Sequence, residues 1–466
     1  MNKLKVCLIV DNPLRDIDGL ILLSWYLAQN NIEVFLVPMY VQVTDVMAIK
    51  PNLVLLNYIR PNNVYLAQKY KSNGINIAVL DAEGAPSKGS DKFVNRLVSN
   101  IESFDFLDLY FLWGVDQYKS FLKSKKIKKG ALRITGCPRY DFCNSKFSKL
   151  LPNISDMGEY ILINTNFPTV NPYFSNGFKN EKKVMMGVGE DSNIADQYII
   201  DSKLAFFAII NLVKKISNKF HNINFVLRPH PFEDLKAYDQ LKKIKNVFVR
   251  QERTSIEWIK SAKCLIHLNC STSVEAALLG KNSISPTWLN TPLLNVFNAN
   301  LISFQAKNEN ILIKMIGQVI NGNELDGSQK IKKIQDKIIK NFYANNDGNS
   351  AKRVSNEIIR LIKKKKKSIY KSQKFLDINR ISILFFAKQL LGYKGYTFFK
   401  NILKNKKEIQ SQEKKYFSSN FVRKRINQIH HINNSNSKNI KVEVVSKSDS
   451  WNNVRLSERS IRINID

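Results

Sequence analysis

The chain is short of cysteine, histidine and acidic residues, and it contains no long apolar run. Its five cysteines (Cys7, Cys137, Cys143, Cys264 and Cys270) form no CxxC pair, and five is an odd number in a chain of 466 residues. That excludes a disulfide framework, disfavours zinc and points to a reducing, cytoplasmic compartment. The five histidines are too scattered for a metal cluster. The longest apolar runs, such as "VCLIV" and "ISILFFA", fall well below the roughly 20 residues of a membrane span. The opening "MNKLKVCLIVDN" has no small-residue cleavage site and reads as a first buried strand, not a signal peptide. There is no internal repeat.

Acidic residues number 39 against 72 Lys and Arg, a net charge of +33. Residues 351–466 hold 28 Lys/Arg against 8 Asp/Glu, so +20 of the excess sits in the last quarter of the chain. Such a balance calls for an anionic partner: nucleic acid, a membrane face or phosphate-bearing substrates. Nucleic acid is the outsider, because no recognised binding motif is present and the excess lies in a tail.

A hydrophobic fraction of 44% provides for real cores. Over the first 140 residues, apolar strands such as "LKVCLIV", "EVFLVPM", "NLVLLNY" and "NIAVLD" alternate with helical stretches. This pattern predicts a doubly wound parallel sheet. It restarts at "YILINTN" and continues through "NINFVLR", "NVFVR", "CLIHLN" and "NSISP", predicting a second α/β domain. The expected fold class is therefore two Rossmann-like domains facing across a cleft. Their expected bounds are 1–143 and 159–350, followed by a basic, partly helical or disordered extension at 351–466.

The segment "NFVLRPHPFED" (224–234) places an arginine and a histidine among prolines just where a strand ends. Pro229 and Pro231 stiffen the backbone and push Arg228 and His230 towards extended conformations. Ligands of open α/β sheets bind beyond the carboxyl ends of strands. Two further strand ends of the second domain carry polar groups suited to that position. In "HLNCSTSVEAALLGK" Asn269 precedes a helix opening with Ser271, Thr272 and Ser273, whose N–H groups and hydroxyls suit a phosphate. Glu275 lies one turn further on, within reach of a nucleotide ribose. In "NTNFP" Asn164 can line the same crevice. Plain helix capping is the competing reading, since Thr272 and Glu275 have capping-box spacing.

The first domain offers carboxylates. "VLDAEGAP" puts Asp81 and Glu83 at a strand end, two residues apart and so expected on one side of an extended chain. Either suits a general base or nucleophile, and helix capping again competes. "DNPLRDIDG" adds Arg15, Asp16 and Asp18. Its Asp-x-Asp spacing matches metal-dependent sugar transferases, but N-capping explains it as well and no metal is expected. "TGCPRYD" is expected to present Arg139 and Asp141 near the hinge.

Taken together, "RDIDGLILLSWYL", "LDAEGAP", "TGCPRYD", "RPHP" and "NCSTSVEAALLGK", in that order, resemble the bacterial surface carbohydrate biosynthesis proteins. These are glycosyltransferase-like enzymes of the two-Rossmann, GT-B fold. "RPHP" with a later Ser/Thr cluster also resembles transferases using CMP-activated acidic sugars, such as bacterial sialyltransferases and 3-deoxy-octulosonate transferases. The resemblance implies an acidic role for Asp81 and Glu83, leaving-group support by His230 and a phosphate cradle at Ser271 to Ser273. The acidic motif departs from the sialyltransferase pattern, in which the two acids are adjacent. Ala82 separates them here and leaves open which one acts.

The implied activity is sugar transfer from a nucleotide-sugar donor, CMP-activated by preference, to a glycan or lipid-linked acceptor, with no bound cofactor. A polyol-phosphate transferase of CDP-glycerol type or a sugar-nucleotide epimerase is the alternative on the same scaffold. Lys363–Lys367, followed by Phe385, Phe386, Tyr393, Tyr396, Phe398 and Phe399, suits peripheral attachment to an anionic membrane surface at the inner face of the cytoplasmic membrane.

Overall fold

The computed structural model of the protein describes residues 3–83, 101–173, 192–344, 347–364, 380–402, 412–433, 438–451 and 454–465, with a few isolated positions between them. These fall into two units. Unit 1 comprises the described residues before 85, those between 90 and 150, and those from 342 onwards; unit 2 spans 151–341.

Unit 1 is built on β1 (Leu4–Val10), β2 (Ile32–Pro38), β3 (Leu53–Leu56), β4 (Asn76–Leu80), β5 (Leu109–Leu112) and β6 (Leu132–Ile134). These pair in parallel in the order β2-β1-β3-β4-β5-β6. Every residue of β2, β3 and β5 is buried, which is why these segments read as unbroken apolar runs and not as alternating ones. The helix Pro13–Gln29 follows β1. The Asn12 side chain accepts from the Leu14 N–H, and Pro13 occupies a position where no N–H is needed. From β1 the chain goes to β2 on one side and returns to β3 on the other. The topological switch point therefore lies beyond the carboxyl ends of β1 and β3.

Unit 2 has β7 (Tyr160–Asn164), β8 (Asn224–Arg228), β9 (Val247–Val249), β10 (Leu265–His267), β11 (Ser283–Pro286) and β12 (Phe304–Ala306). They form a parallel sheet in the order β12-β11-β10-β7-β8-β9. Along β7, Ile161 and Ile163 enter one apolar cluster while Tyr160 and Leu162 enter another. The strand alternates between two covered faces, as a doubly wound sheet requires. Here the switch point lies between β7 and β10.

The residues after 350 correct the expected extension. The helix Ser350–Lys364 is capped from within unit 1, where buried Asp141 accepts from the Ser350 and Ala351 N–H groups at 2.9 and 2.8 Å. The helix Ser419–Asn433 buries Val422, Ile426 and Ile429, and its Arg425 meets Asp18 at 2.8 Å with both side chains shielded. His430 and His431 lie in the last turn of this helix. The last two strands, β13 (Ile440–Val444) and β14 (Ile461–Ile465), extend the sheet of unit 1: β14 pairs antiparallel with β2, and β13 with β14. Val442, Ile461 and Ile463 are buried while their neighbours stay polar, so each strand is half-buried and alternating. A polar, basic average composition conceals two short strands of this kind.

Candidate functional site

In unit 2 the last residues of three neighbouring strands stand level. Asn164 is in register with Arg228 on one side and His267 on the other. The Asn164 amide donates to the Thr272 hydroxyl at 2.9 Å, a bond that crosses the switch point from β7 to the start of the helix Thr272–Leu278. The Asn164 Oδ1, 3% exposed as a residue, has no partner among the described residues. Arg228 is buried beside β7; one terminal nitrogen donates to the Arg253 carbonyl at 3.0 Å, and its Nε has no partner among the described residues. Burial lowers the Arg228 pKa from its ordinary value, and the Glu275 carboxylate opposes that fall most among its neighbours. A buried cation and a buried carbonyl oxygen with unused hydrogen-bonding capacity thus share the crevice where α/β sheets take their ligands.

His230 is half-buried. Its ring Nδ1 accepts from the Phe232 N–H at 3.2 Å, so the proton of the neutral ring resides on Nε2. The ring stands edge-on to Phe232 at 5.3 Å. Its backbone N–H is held by Glu233, which organises the site although it was no candidate in the sequence. The buried Glu233 carboxylate accepts from His230 N at 2.9 Å, Phe167 N at 3.1 Å, Thr165 Oγ1 at 2.8 Å and the Tyr238 hydroxyl. Burial raises its pKa, and these donors work against the rise. One carboxylate thereby ties the loop after β7 to the loop after β8. The signal was visible as the acid two residues beyond "RPHP", overshadowed by the more exposed chemistry of the motif.

The Ser/Thr cluster divides. Ser271 is exposed at the N-terminal boundary of its helix and its side chain makes no capping bond. Thr272 receives the Asn164 bond and donates to the Cys270 sulfur at 3.1 Å. Ser273 points inward, donating to the Cys270 carbonyl at 3.1 Å, so its hydroxyl does not line the cradle as expected. Asn269 is also diverted. It has a left-handed backbone (φ 57), and its amide exchanges hydrogen bonds with Asn290 and accepts from Asn300. That buried network shapes an open pocket of about 450 Å³ lined by Thr287, Asn290, Thr291, Asn295, Asn300 and Gln305. His267 serves the core: its ring meets Ser303 at 2.8 Å, and burial lowers its pKa to about 3.

Unit 1 separates the two acids. Asp81 is 1% exposed and receives both terminal nitrogens of Arg60, at 2.6 and 3.2 Å, along with the Glu83 N–H at 2.9 Å. Glu83 is exposed and meets Arg15 Nη1 at 3.4 Å. The expectation of one shared side fails because β4 ends at Leu80 and the chain turns at residues 82 and 83, so strand alternation no longer applies. The rest of "GAP" lies outside the described residues.

Arg15 is the hub of this cluster, bonding Asp16 at 2.7 Å and Asp11 at 3.0 Å, while Lys415 from the C-terminal part holds Asp11 at 2.9 Å. Asp16 also accepts from the Asn12 N–H, and Asp18 is taken by Arg425. Arg139, expected to be presented, is instead buried against the rings of Trp113 and Tyr140. The reason is Gly19: a Cβ there would stand 2.5 Å from the Arg139 backbone nitrogen, so its absence lets "TGCPRYD" press onto the first helix. A small cavity of about 30 Å³ lies among Asp16, Gly19, Asn57, Leu80, Ala82 and Arg139.

No family model matches the chain, and no curated protein matches its sequence. Solved structures do resemble it. The UDP-GlcNAc 2-epimerase of Methanocaldococcus jannaschii, in complex with UDP-GlcNAc and UDP, has a TM-score of 0.47 at 14% identity, covering 77% of this chain and 100% of that one. The enzyme of Neisseria meningitidis bound to UDP-GlcNAc gives 0.44 at 14%, with the same coverage. The wall teichoic acid polymerase TagF gives 0.49 at 12%, covering 77% of this chain and 88% of that one. The fold class itself rests on the two sheets: a pair of Rossmann-like, doubly wound α/β domains in one chain, the composition of a GT-B protein.

Proposed function

We propose that the protein is a glycosyltransferase of surface polysaccharide synthesis, acting in the cytoplasm at the inner face of the membrane. It takes a sugar from a nucleotide donor, by preference a CMP-activated acidic sugar, and passes it to a glycan or lipid-linked acceptor. The observation that carries this reading is the convergence of Asn164, Arg228 and the Thr272 helix start at the switch point of unit 2, with the Arg228 Nε and the Asn164 Oδ1 both buried and without a partner among the described residues.

In the reaction the acceptor oxygen forms a bond to the anomeric carbon as the bond from that carbon to the donor phosphate breaks. The bonding pair leaves with the phosphate, where negative charge grows. Arg228, the Nε2–H of His230 and the N–H groups beside Ser271 meet that charge from preset positions. The acceptor hydroxyl gives its proton to Glu83, the accessible acid, which Arg15 holds in place. Asp81, already saturated by Arg60, keeps the strand end in shape. The same cradle suits a CDP-glycerol-type polyol-phosphate donor or an epimerised sugar nucleotide, and product analysis separates these from sugar transfer.

Thermal shift against CMP, CDP, UDP and GDP tests the donor site. A ligand bound only by the folded state stabilises it by about 2.7 kcal/mol at a hundredfold excess over Kd. The expected result is the largest shift with CMP and its loss in Arg228→Met. If none of the four nucleotides shifts the transition, the donor assignment is wrong.

A further inference from the structure

The helix Arg380–Ile402 carries an apolar stripe that the described residues of unit 1 leave exposed. Ile383, Phe386 and Leu390 precede a kink at Gly392 (φ 71), and Phe398, Phe399 and Ile402 follow it. Each of the six is 54–70% exposed. Their spacing, three and four residues before the kink and four after it, keeps both halves of the stripe on the outward side. The other side is fastened. Lys388 is buried, Gln389 exchanges two hydrogen bonds with the Arg455 backbone, and Tyr393 packs on the core while its hydroxyl meets that of Tyr416 at 2.5 Å. The helix is thus held to unit 1 with its greasy face turned away.

Two occupants suit such a face: another copy of this chain, or a lipid surface. Charge decides between them. A second copy brings the same net charge of +33 and is repelled, whereas an anionic leaflet is attracted. Lys394 stands on this helix with 92% of its side chain exposed, in a loose 3.7 Å pair with the exposed Glu458, and Lys363 and Lys364 end the helix Ser350–Lys364. Each such lysine contributes about 1 kcal/mol near an anionic surface. Among the described residues no helix is long and apolar enough to cross a membrane, so the face lies on the bilayer instead of spanning it.

We propose that the helix Arg380–Ile402 seats unit 1 on an anionic lipid surface, with Phe386, Leu390, Phe398 and Phe399 entering the headgroup boundary. This deepens the membrane location proposed above and stands without the transfer reading, because lipid binding is measured without turnover.

The test is co-sedimentation of the full chain with phosphatidylcholine vesicles, with and without phosphatidylglycerol. Binding is expected only with phosphatidylglycerol and is expected to weaken with salt. Phe398→Glu combined with Phe399→Glu should lower partitioning at least about tenfold, which corresponds to about 1.4 kcal/mol. The milder pair Phe386→Ala and Leu390→Ala should lower it less, with the melting temperature unchanged. Tyr65→Glu, at an exposed site elsewhere in unit 1, should leave it alone. Equal binding to neutral vesicles, or undiminished binding by both paired variants in folded form, overturns the proposal. So does a dimer in sedimentation velocity that the same substitutions dissociate.

Discussion

Unit 1 and unit 2 both end their strands in charged and amide side chains, and they differ in how those side chains are matched. Beyond β4 in unit 1, Asp81 is filled by Arg60, and beyond β1 the set Asp11, Arg15, Asp16 and Lys415 is closed on itself, with Glu83 at its exposed rim. At the ends of β7 and β8 in unit 2, Asn164 and Arg228 each keep one buried polar atom without a partner among the described residues, as does the Asn57 amide nitrogen one residue past β3 in unit 1. A buried donor or acceptor left unmade costs about 1–3 kcal/mol, so it persists where a ligand completes it. What sets unit 2 apart is that its unmatched acceptor and its buried cation stand in register on neighbouring strands, the basis of the donor site proposed for it, while the acidic motif of unit 1 keeps Glu83 as its accessible carboxylate.

The largest expected effect concerns what unit 1 is made of. Truncation after residue 362 removes β13, β14 and the Arg425 partner of Asp18, and exposes the edge of β2. Leaving a shielded carboxylate unpaired costs roughly 3–5 kcal/mol by itself, and a bare edge strand invites aggregation. The truncated chain should lose its cooperative unfolding transition. A truncated protein that melts like the full chain would show that the C-terminal part is a mere extension.

His230→Ala probes unit 2. Removing one preset donor to a departing phosphate costs on the order of 3–4 kcal/mol in rate, with the melting temperature kept. A variant retaining more than about a tenth of wild-type turnover would falsify the leaving-group role, since that is only about 1.4 kcal/mol.

The two acids of unit 1 should separate cleanly. Glu83→Gln is expected to lose at least about a hundredfold in rate while stability stays within about 0.5 kcal/mol. Asp81→Asn should lower stability by roughly 2–3 kcal/mol, because Arg60 loses its carboxylate. Calorimetry beside steady-state assays gives both readings. The reverse pattern, a fast Glu83→Gln and an intact but inactive Asp81→Asn, would transfer the base role to Asp81.

The smallest effect distinguishes the units by pH. Burial pushes Asp141 of unit 1 up to about 6, so its folded form holds the proton more tightly than the unfolded chain does. That contribution is complete below about 3.8 and is lost as pH rises through about 6. His267 of unit 2 runs the other way. Lowered from 6.5 to about 3, it contributes above about 6.5, and the contribution is lost as pH falls. Between pH 7 and about 4.5, wild type should therefore gain on Asp141→Asn and lose to His267→Gln in denaturant melts. Parallel slopes for the two pairs would remove the distinction.

Much of this architecture is legible along the chain, and the reasons are local. Strands buried on both faces announce themselves as continuous apolar runs, as "LKVCLIV" and "YILIN" do. Pro229 and Pro231 stiffen their own neighbourhood whatever surrounds them, so the placing of Arg228 and His230 at a strand end follows from the sequence. β13 and β14 were hidden for an equally physical reason. Each buries one face only, in five residues, inside a stretch whose average is basic and polar. Such strands acquire their identity from the β2 edge that they cover.

For the site residues the boundary falls between residue type and residue partner. Sequence alone determined that Asn164, Arg228, His230, Thr272 and Glu83 stand at strand ends or helix starts, because backbone direction there depends on neighbours in the chain. Only the tertiary structure decided that Asp81 is consumed by Arg60, that Ser273 and Asn269 turn inward, that Arg139 is buried behind Gly19, and that Glu233 binds two loops together. Each of these outcomes depends on a partner brought close by folding. A hydrogen bond or ion pair carries no mark in the sequence until both of its ends are in place.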